Sequence, residues 1–251
     1  MPNDVWAADF KGWFKTKDGT RIDPLTMTDL ASRYLIRCHA VAQTNGDNVR
    51  GQFTAAFQEF GMPRTLRTDN GPPFASVGLG GLSELAVWLI RLGITPERSR
   101  PAHPQDNGSH ERMHRTLKQE TANPPRSNPR EQQKAFKHFQ DEFNDERPHE
   151  SIDMKTPTDV YTPSPRPFPR KLPELEYPAG TVTRLVLGNG TIKVMNKQIY
   201  ASNALIGQRV RLEETDAGQN IWYGPVLLGE LDLKNEMIRR TATKVLPMCP
   251  V

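Results

Sequence analysis

The sequence predicts an α/β protein built on a mixed sheet and followed by a small all-β region. Three observations predict it. Strand-like runs come first, helix-like and strand-like patterns then alternate as far as Glu146, and a proline-dense break precedes short β-rich runs. Residues 5–14 read as a strand and 25–29 and 34–42 as two more, with Asp18-Gly19 as the hairpin turn between the first two. Thr44 or Asn45 caps a helix whose Val49, Phe53, Ala56, Phe57 and Phe60 share one face, and Gly61 with Pro63 stops it. Residues 64–68 form a short strand ending at Asp69, 82–92 a helix stopped by Gly93, and 94–97 another short strand. Ser109 caps a helix reaching about Thr121. A second helix over 130–146 sets Phe136, Phe139 and Phe143 on one face until Pro148 ends it.

Residues 157–178 contain seven prolines, which fix φ and remove backbone donors, so an extended, semi-rigid linker is expected there. The expected organisation is a core over 1–156, the linker, and a small barrel over 179–251. In the tail, Gly188-Asn189-Gly190 and the region of Gly218 are turns, Trp222 is a core residue, and the residues after Leu233 are helical or loose.

Composition excludes several classes. The longest strongly apolar run, 85–90, is far short of the roughly 20 residues a membrane span needs, and no basic-then-apolar leader opens the chain. Cys38 and Cys249 are the only cysteines, too few for a disulfide framework, and a reducing cytoplasm is expected. The net charge of +4 sits mostly in the tail, where 179–251 carry 9 Lys and Arg against 6 Asp and Glu. That balance permits nucleic-acid binding without establishing it.

Three carboxylates stand in informative places. Asp9 lies inside the first strand among Trp6, Phe10 and Trp13, where an acid is a poor strand former. Asp69 ends a strand just before Asn70-Gly71, and Glu111 lies in the first turns of a capped helix. Taken singly, each has a bland reading: a solvent-facing strand charge, a tight turn, a helix-dipole acid. Taken together, they can converge at one end of a sheet. There, two divalent cations about 3.5–4 Å apart would neutralise them and leave positions for phosphate oxygens. Arg115 and Lys118 share one helical face with Glu111 and His114, and the two cations would meet a phosphate backbone unless they form only a solvated ion-pair stripe.

The same helix also reads His110-Glu-Arg-Met-His114, which matches the HExxH pattern of zinc metalloproteases. Against that reading, Arg112 occupies one of the pattern's two variable positions and Arg115 directly follows the pattern. Leu117 and Glu120 stand where the extended motif needs Gly and a third His, and Glu131 is only one possible third ligand.

The blocks WAADFKGWF, PLTMTDLASRYL, TDNGPPF, RPAHPQDNGSHERMHRTLK and FNDERPHESIDMKTP, in this order from Trp6 to Pro157, resemble the DDE catalytic core of bacterial insertion-sequence transposases and retroviral integrases. The resemblance implies an RNase H-like mixed-sheet core with a small all-β barrel behind it. It implies DNA cleavage and strand transfer by a triad of Asp9, Asp69 and Glu111 holding two Mg2+, for which Mn2+ would substitute. It further implies that Arg115 and Lys118 hold the DNA end and that His103, Gln105 and Asn107 lie in the loop leading into the active site. Element ends and target DNA are the expected partners, with at least a dimer on DNA and a place at the bacterial nucleoid. Arg184, Lys193, Lys197, Arg209 and Arg211 would offer the barrel a DNA-facing patch, or simply a solvated surface. A catalytically idle DNA-binding or regulatory fragment is the alternative of another class. Two departures stand out. The 41 residues between Asp69 and Glu111 exceed the commonest family spacing, and Met1 lies just before the first strand, where similar transposases carry helix-turn-helix domains.

Overall fold

The computed structural model describes residues 1–10, 12–69, 71–74, 76, 78–98, 108–216 and 218–239, except for the side chains of 108–110. Its described residues form two compact units: 1–69 with 97–168, and 70–96 with the residues from 169 onward.

The first unit is organised by a mixed sheet. Its strands are β1 (Val5–Phe10), β2 (Phe14–Lys15), β3 (Arg21–Asp29), β4 (Leu35–Val41), β5 (Thr65–Thr68) and β6 (Thr95–Arg98). The strand order is β2-β3-β1-β5-β6, with β4 on β3. β1 runs antiparallel to β3 and parallel to β5, so the expected class is observed. The single strand expected over 5–14 is instead two, because Gly12 takes φ 92 and breaks the extension. The Asp18-Gly19 turn accordingly joins β2 to β3, where the Asp18 carboxylate accepts from Thr16 Oγ1 (2.6 Å) and Thr20 N (3.0 Å).

Helix α1 (Gly46–Phe60) begins at Asn45, whose side chain accepts from Asn48 N, and buries Val49, Phe53, Ala56 and Phe57. It stops at Gly61, φ 74, where a Cβ would collide with the Ser164 carbonyl. The proline-dense segment is tied to this end of α1. After a helical turn, α5 (Pro157–Val160), Tyr161 stacks on Tyr34 at 4.2 Å, Ser164 N donates to Phe60 O, and the Arg166 guanidinium donates to Pro63 O.

Helices α3 (Gly108–Thr121) and α4 (Pro129–Asp145) cover the sheet. α3 begins one residue before Ser109, which therefore lies in its first turn rather than at its cap. Met113 and Leu117 of α3 pack with Phe136, Phe139 and Phe143 of α4 on Ile22, Leu35 and Cys38. Burial drives the Cys38 thiol far above its ordinary pKa, so it packs as a small apolar group.

Among the described residues no strand lies beside the outer edge of β4, and amides from α4 answer its backbone instead. Gln133 bonds Ala40 N and Cys38 O, Gln140 bonds Leu35 O and Ile36 O, and Asn144 bonds both Leu35 N (2.8 Å) and Leu35 O (3.1 Å). These side chains take the place of a neighbouring strand. Asn144→Ala leaves a buried N–H without a partner. It is expected to cost about 1–3 kcal/mol in chemical denaturation; an unchanged midpoint would show that water replaces the amide at no cost.

In the second unit, α2 (Glu84–Arg91) starts at Ser83, whose hydroxyl accepts from Ala86 N. Every residue from Leu85 to Ile90 is buried, as a helix that is apolar all round requires. Ala86, Val87 and Ile90 pack with Ile192, Leu205, Val210, Ile221 and Tyr223 of the β-rich tail. That tail contains β7 (Thr183–Leu185), β8 (Thr191–Val194), β9 (Lys197–Tyr200), β10 (Arg209–Thr215), β11 (Gly218–Tyr223), β12 (Val226–Asp232) and β13 (Met237–Arg239). Five of them form an antiparallel sheet in the order β13-β12-β11-β10-β7. The β8–β9 hairpin lies close to both edge strands, β7 and β13, which gives the small β unit a barrel-like closure. Two expectations are corrected here. Residues 237–239 are a strand because Ile238 pairs with Leu231 and enters the core. Tyr223 fills the core while its neighbour Trp222 points to the other face and is only partly buried. Among the described residues no helix is long and apolar enough to cross a membrane.

Candidate active site

The site begins with register. On the parallel pair the register runs from Val5 beside Thr65 to Ala8 beside Thr68, so Asp9 follows the last paired residue of β1 and Asp69 follows the last residue of β5. Register partners point to one face. On the other side of β1, Asp9 is paired with Thr26 of β3. The Asp9 side chain is 28% exposed, and Asp69 is exposed. Two acids at adjacent strand ends would repel in water-poor surroundings, and here they remain open to solvent.

α3 reaches this point through His114. Its ring is buried, with Nε2 2.6 Å from the buried Thr26 hydroxyl and Nδ1 3.8 Å from Asp9 Oδ2. The Thr26 hydroxyl also donates to the Asp9 carbonyl at 3.2 Å, an arrangement that matches a ring carrying its proton on Nε2. The Nδ1 separation is too long for a hydrogen bond, so that nitrogen acts on the carboxylate electrostatically or through a water. Glu111 lies one helical turn before His114 and is exposed, as are Arg115 and Lys118 on the same stripe. Among the described residues, no three His, Cys, Asp or Glu side chains are gathered closely enough to hold an ion as a set. Asp9 and His114 are thus close neighbours, Asp69 follows the strand parallel to that of Asp9, and Glu111 stands one turn away on the anchored helix.

The sequence pattern sets His114 on the face of the basic stripe or in a zinc pair, and the buried ring corrects both. Its two ring nitrogens face Thr26 and Asp9, so it is not presented to a zinc ion beside His110, whose side chain lies outside the described residues. The signal that could have found this role was Thr26, a hydroxyl paired with an acid on a strand otherwise buried. His103, Gln105 and Asn107 lie outside the described residues.

The basic residues of the tail do not share one face. Arg209 and Arg211 alternate with buried Val210 along β10, and the Arg211 guanidinium lies 5.1 Å over Trp222 while pairing with Glu213 at 3.0 Å. Arg184 sits opposite Val210, on the other face of the sheet. Lys197 is engaged by Leu233 O and Glu236, and Lys193 is exposed on the hairpin.

Comparisons with known proteins agree with this architecture. Two models of the integrase core domain match, one over residues 1–104 and the other over 92–157. An uncharacterized 31.7 kDa protein of insertion element IS407 from Burkholderia multivorans is 24% identical over 159 residues, covering 63% of this chain and 55% of that protein. The match thus spans about half the length of that relative. Among solved structures, a chain of the simian T-cell lymphotropic virus intasome in complex with PP2A regulatory subunit B56 gamma is 19% identical. It has a TM-score of 0.52 and covers 93% of this chain and 81% of that one. The HTLV-2 integrase catalytic core domain in complex with magnesium is 17% identical, TM-score 0.46, over 64% and 97% of the two chains. At such identities the likeness concerns the fold, an RNase H-like mixed-sheet core with antiparallel sheets after it. With the two core models together spanning residues 1–157, more than half of the chain, this protein belongs to the integrase core domain family.

Proposed function

We propose that this chain is a DNA strand-transferring recombinase that hydrolyses a phosphodiester at an element end and joins the freed 3′-hydroxyl to target DNA. Integrase cores serve DNA recombination and transposition in general; the reaction, its ligands and its partners are this reading's own. The observation that supports it is the parallel register of β1 and β5, which continued by one residue would bring Asp69 beside Asp9, with α3 bonded through His114 to Thr26 one turn after Glu111.

The donor set fits a hard divalent cation. All three groups are carboxylates, which suit Mg2+ or Mn2+ better than a softer metal, and both strand-end acids are open to solvent. Asp9, Asp69 and Glu111 would hold the ions. When bound, two such ions supply activation of an attacking water or 3′-hydroxyl and stabilisation of the leaving oxygen. The protein's own part is orientation. Thr26 and His114 hold Asp9 from behind, and Arg115 and Lys118 offer exposed positive charge to a phosphate backbone without reading its bases. Two element ends must be processed together, which calls for at least a dimer on DNA. An idle DNA-binding fragment would have no need to keep all three acids.

The test is a branched oligonucleotide that presents the 3′-hydroxyl and scissile phosphate together, incubated with the purified chain. Cleavage and rejoining are expected with Mg2+ or Mn2+ and not with Zn2+ alone. Absence of product with either ion, while the chain binds the oligonucleotide, would overturn the reading in favour of a DNA-binding fragment.

A further inference from the structure

Of the four tryptophans, Trp6 and Trp88 are buried and Trp222 is partly so, whereas Trp13 is 56% exposed. A lone exposed aromatic is ordinary on a protein surface, so its surroundings must decide what it does. Gly12, at φ 92, ends the extension of β1 and leaves Trp13 in the connection to β2. There the Arg21 guanidinium lies 4.8 Å from the centre of the indole, a cation–π contact, and is also paired with Asp23 at 3.6 Å. That contact orients the ring in advance and removes part of the ordering cost of binding a planar group.

Trp13 also lines a cavity of about 210 Å³, together with Phe14, Pro24, Leu117, Lys118 and Phe136. Leu117 and Phe136 are buried and make the recess apolar, while Lys118 is an exposed cation. None of the described lining residues is acidic. The volume is below the roughly 300–1,000 Å³ of small-molecule sites, which suits one planar group of a larger molecule. Around the ring the charge is mostly positive. Lys15 is the register partner of Arg21, both are exposed, and exposed Lys17 bonds through its backbone N–H to the carbonyl of exposed Arg126. The acids here are already engaged: Asp18 accepts from Thr16 and Thr20, and buried Asp23 pairs with Arg21. Among the described residues of the first unit, the other exposed large apolar side chains are Met1 and Met154, too few for the apolar patch of a protein partner. A planar ring, an apolar recess and flanking cations are instead the combination that holds a single nucleic-acid strand, bases on the ring and phosphates on the cations.

We propose that Trp13 is a stacking platform for one unpaired base of the DNA on which this chain acts, with Arg21 and Lys118 meeting the flanking phosphates. That the ligand is DNA rests on the proposed function. Lys118 follows Glu111 by seven residues, about 10 Å along the helix, so the base is held beside the proposed reaction centre and outside it. A base stacked there is out of the duplex, which fixes the path of its strand next to the reacting phosphate.

The experiment uses the full chain and reads binding and stacking. A labelled single strand and a blunt duplex of the same sequence are titrated by anisotropy, and unlabelled single strand is titrated while tryptophan emission is followed. Trp13→Ala is expected to weaken the single strand about tenfold and leave the duplex unchanged, while Trp13→Phe keeps most of the affinity. The single strand should quench wild-type emission, and Trp13→Phe should lose most of that quenching, since the other tryptophans are buried or partly so. Arg21→Gln and Lys118→Gln should each lower the salt slope of single-strand binding by a little under one. Trp13 is more than half exposed, so its replacement empties no core, and thermal unfolding of each variant checks this. Equal weakening of both DNAs by Trp13→Ala, or no weakening of the single strand, would overturn the platform, as would a wild type that binds the duplex alone. Cleavage of the branched oligonucleotide separates the two readings. Its absence, with quenching by Trp13 intact, overturns strand transfer and leaves the platform; its presence, with no effect of Trp13 on binding, overturns the platform alone.

Discussion

Asp69→Asn should abolish joining of the branched oligonucleotide, lowering its rate by at least about 10³-fold, or about 4 kcal/mol of transition-state stabilisation. The substitution keeps the shape of the side chain and removes one negative charge from the residue that follows β5, the parallel neighbour of the strand that carries Asp9. If these acids serve to hold divalent cations, the neutral amide weakens the ion on both sides, so Asp9→Asn and Asp69→Asn should cost nearly the same. The double variant should cost little more, since groups acting as one unit are not additive. DNA affinity should hold or rise, because a carboxylate facing phosphate is replaced by a neutral donor. Direct titration of Mn2+ gives a second readout, with weaker binding expected in both variants. Retained joining by either single variant would remove the acids from the reaction.

Much of this was legible in the sequence, for reasons that can be named. Helix α1 was readable from its stripe and caps because Asn45 and Gly61 act locally, and the strand ending at Asp69 was readable from the Asn-Gly that follows. The convergence of Asp9 and Asp69 was expected from strand order, and the strands that carry or precede them are parallel neighbours paired as far as Ala8 and Thr68. What remained hidden depends on contacts between distant parts of the chain. His114 looked like part of a surface stripe because helical spacing says nothing about which edge of the stripe meets a sheet, and Thr26, its partner, lies 88 residues away. The sequence pattern says nothing of Gln133, Gln140 and Asn144, which finish the outer edge of β4. The apolar run at 85–90 announced a buried helix without saying that Ile192 and Tyr223, more than 100 residues later, would cover it.

The pair of Thr26 and His114 separates support of the fold from support of the reaction. Thr26→Val leaves His114 Nε2 buried without its partner and should cost about 1–3 kcal/mol of stability. His114→Leu leaves the Thr26 hydroxyl with the Asp9 carbonyl still to bond, and should cost less. The double variant replaces both polar groups by apolar ones of similar bulk, and its stability should return most of the way to that of the parent. Joining of branched DNA should not return. Each variant, the double included, should remain about 10–100-fold slower and require more Mn2+ for half-maximal rate, the cost usual when a group that orients a metal ligand is lost. If the pair only filled space, activity would recover together with stability in the double variant. Stability measured by denaturation and rate measured at saturating Mn2+ would then move as one, and the placing of Asp9 would have to be sought in the strand alone.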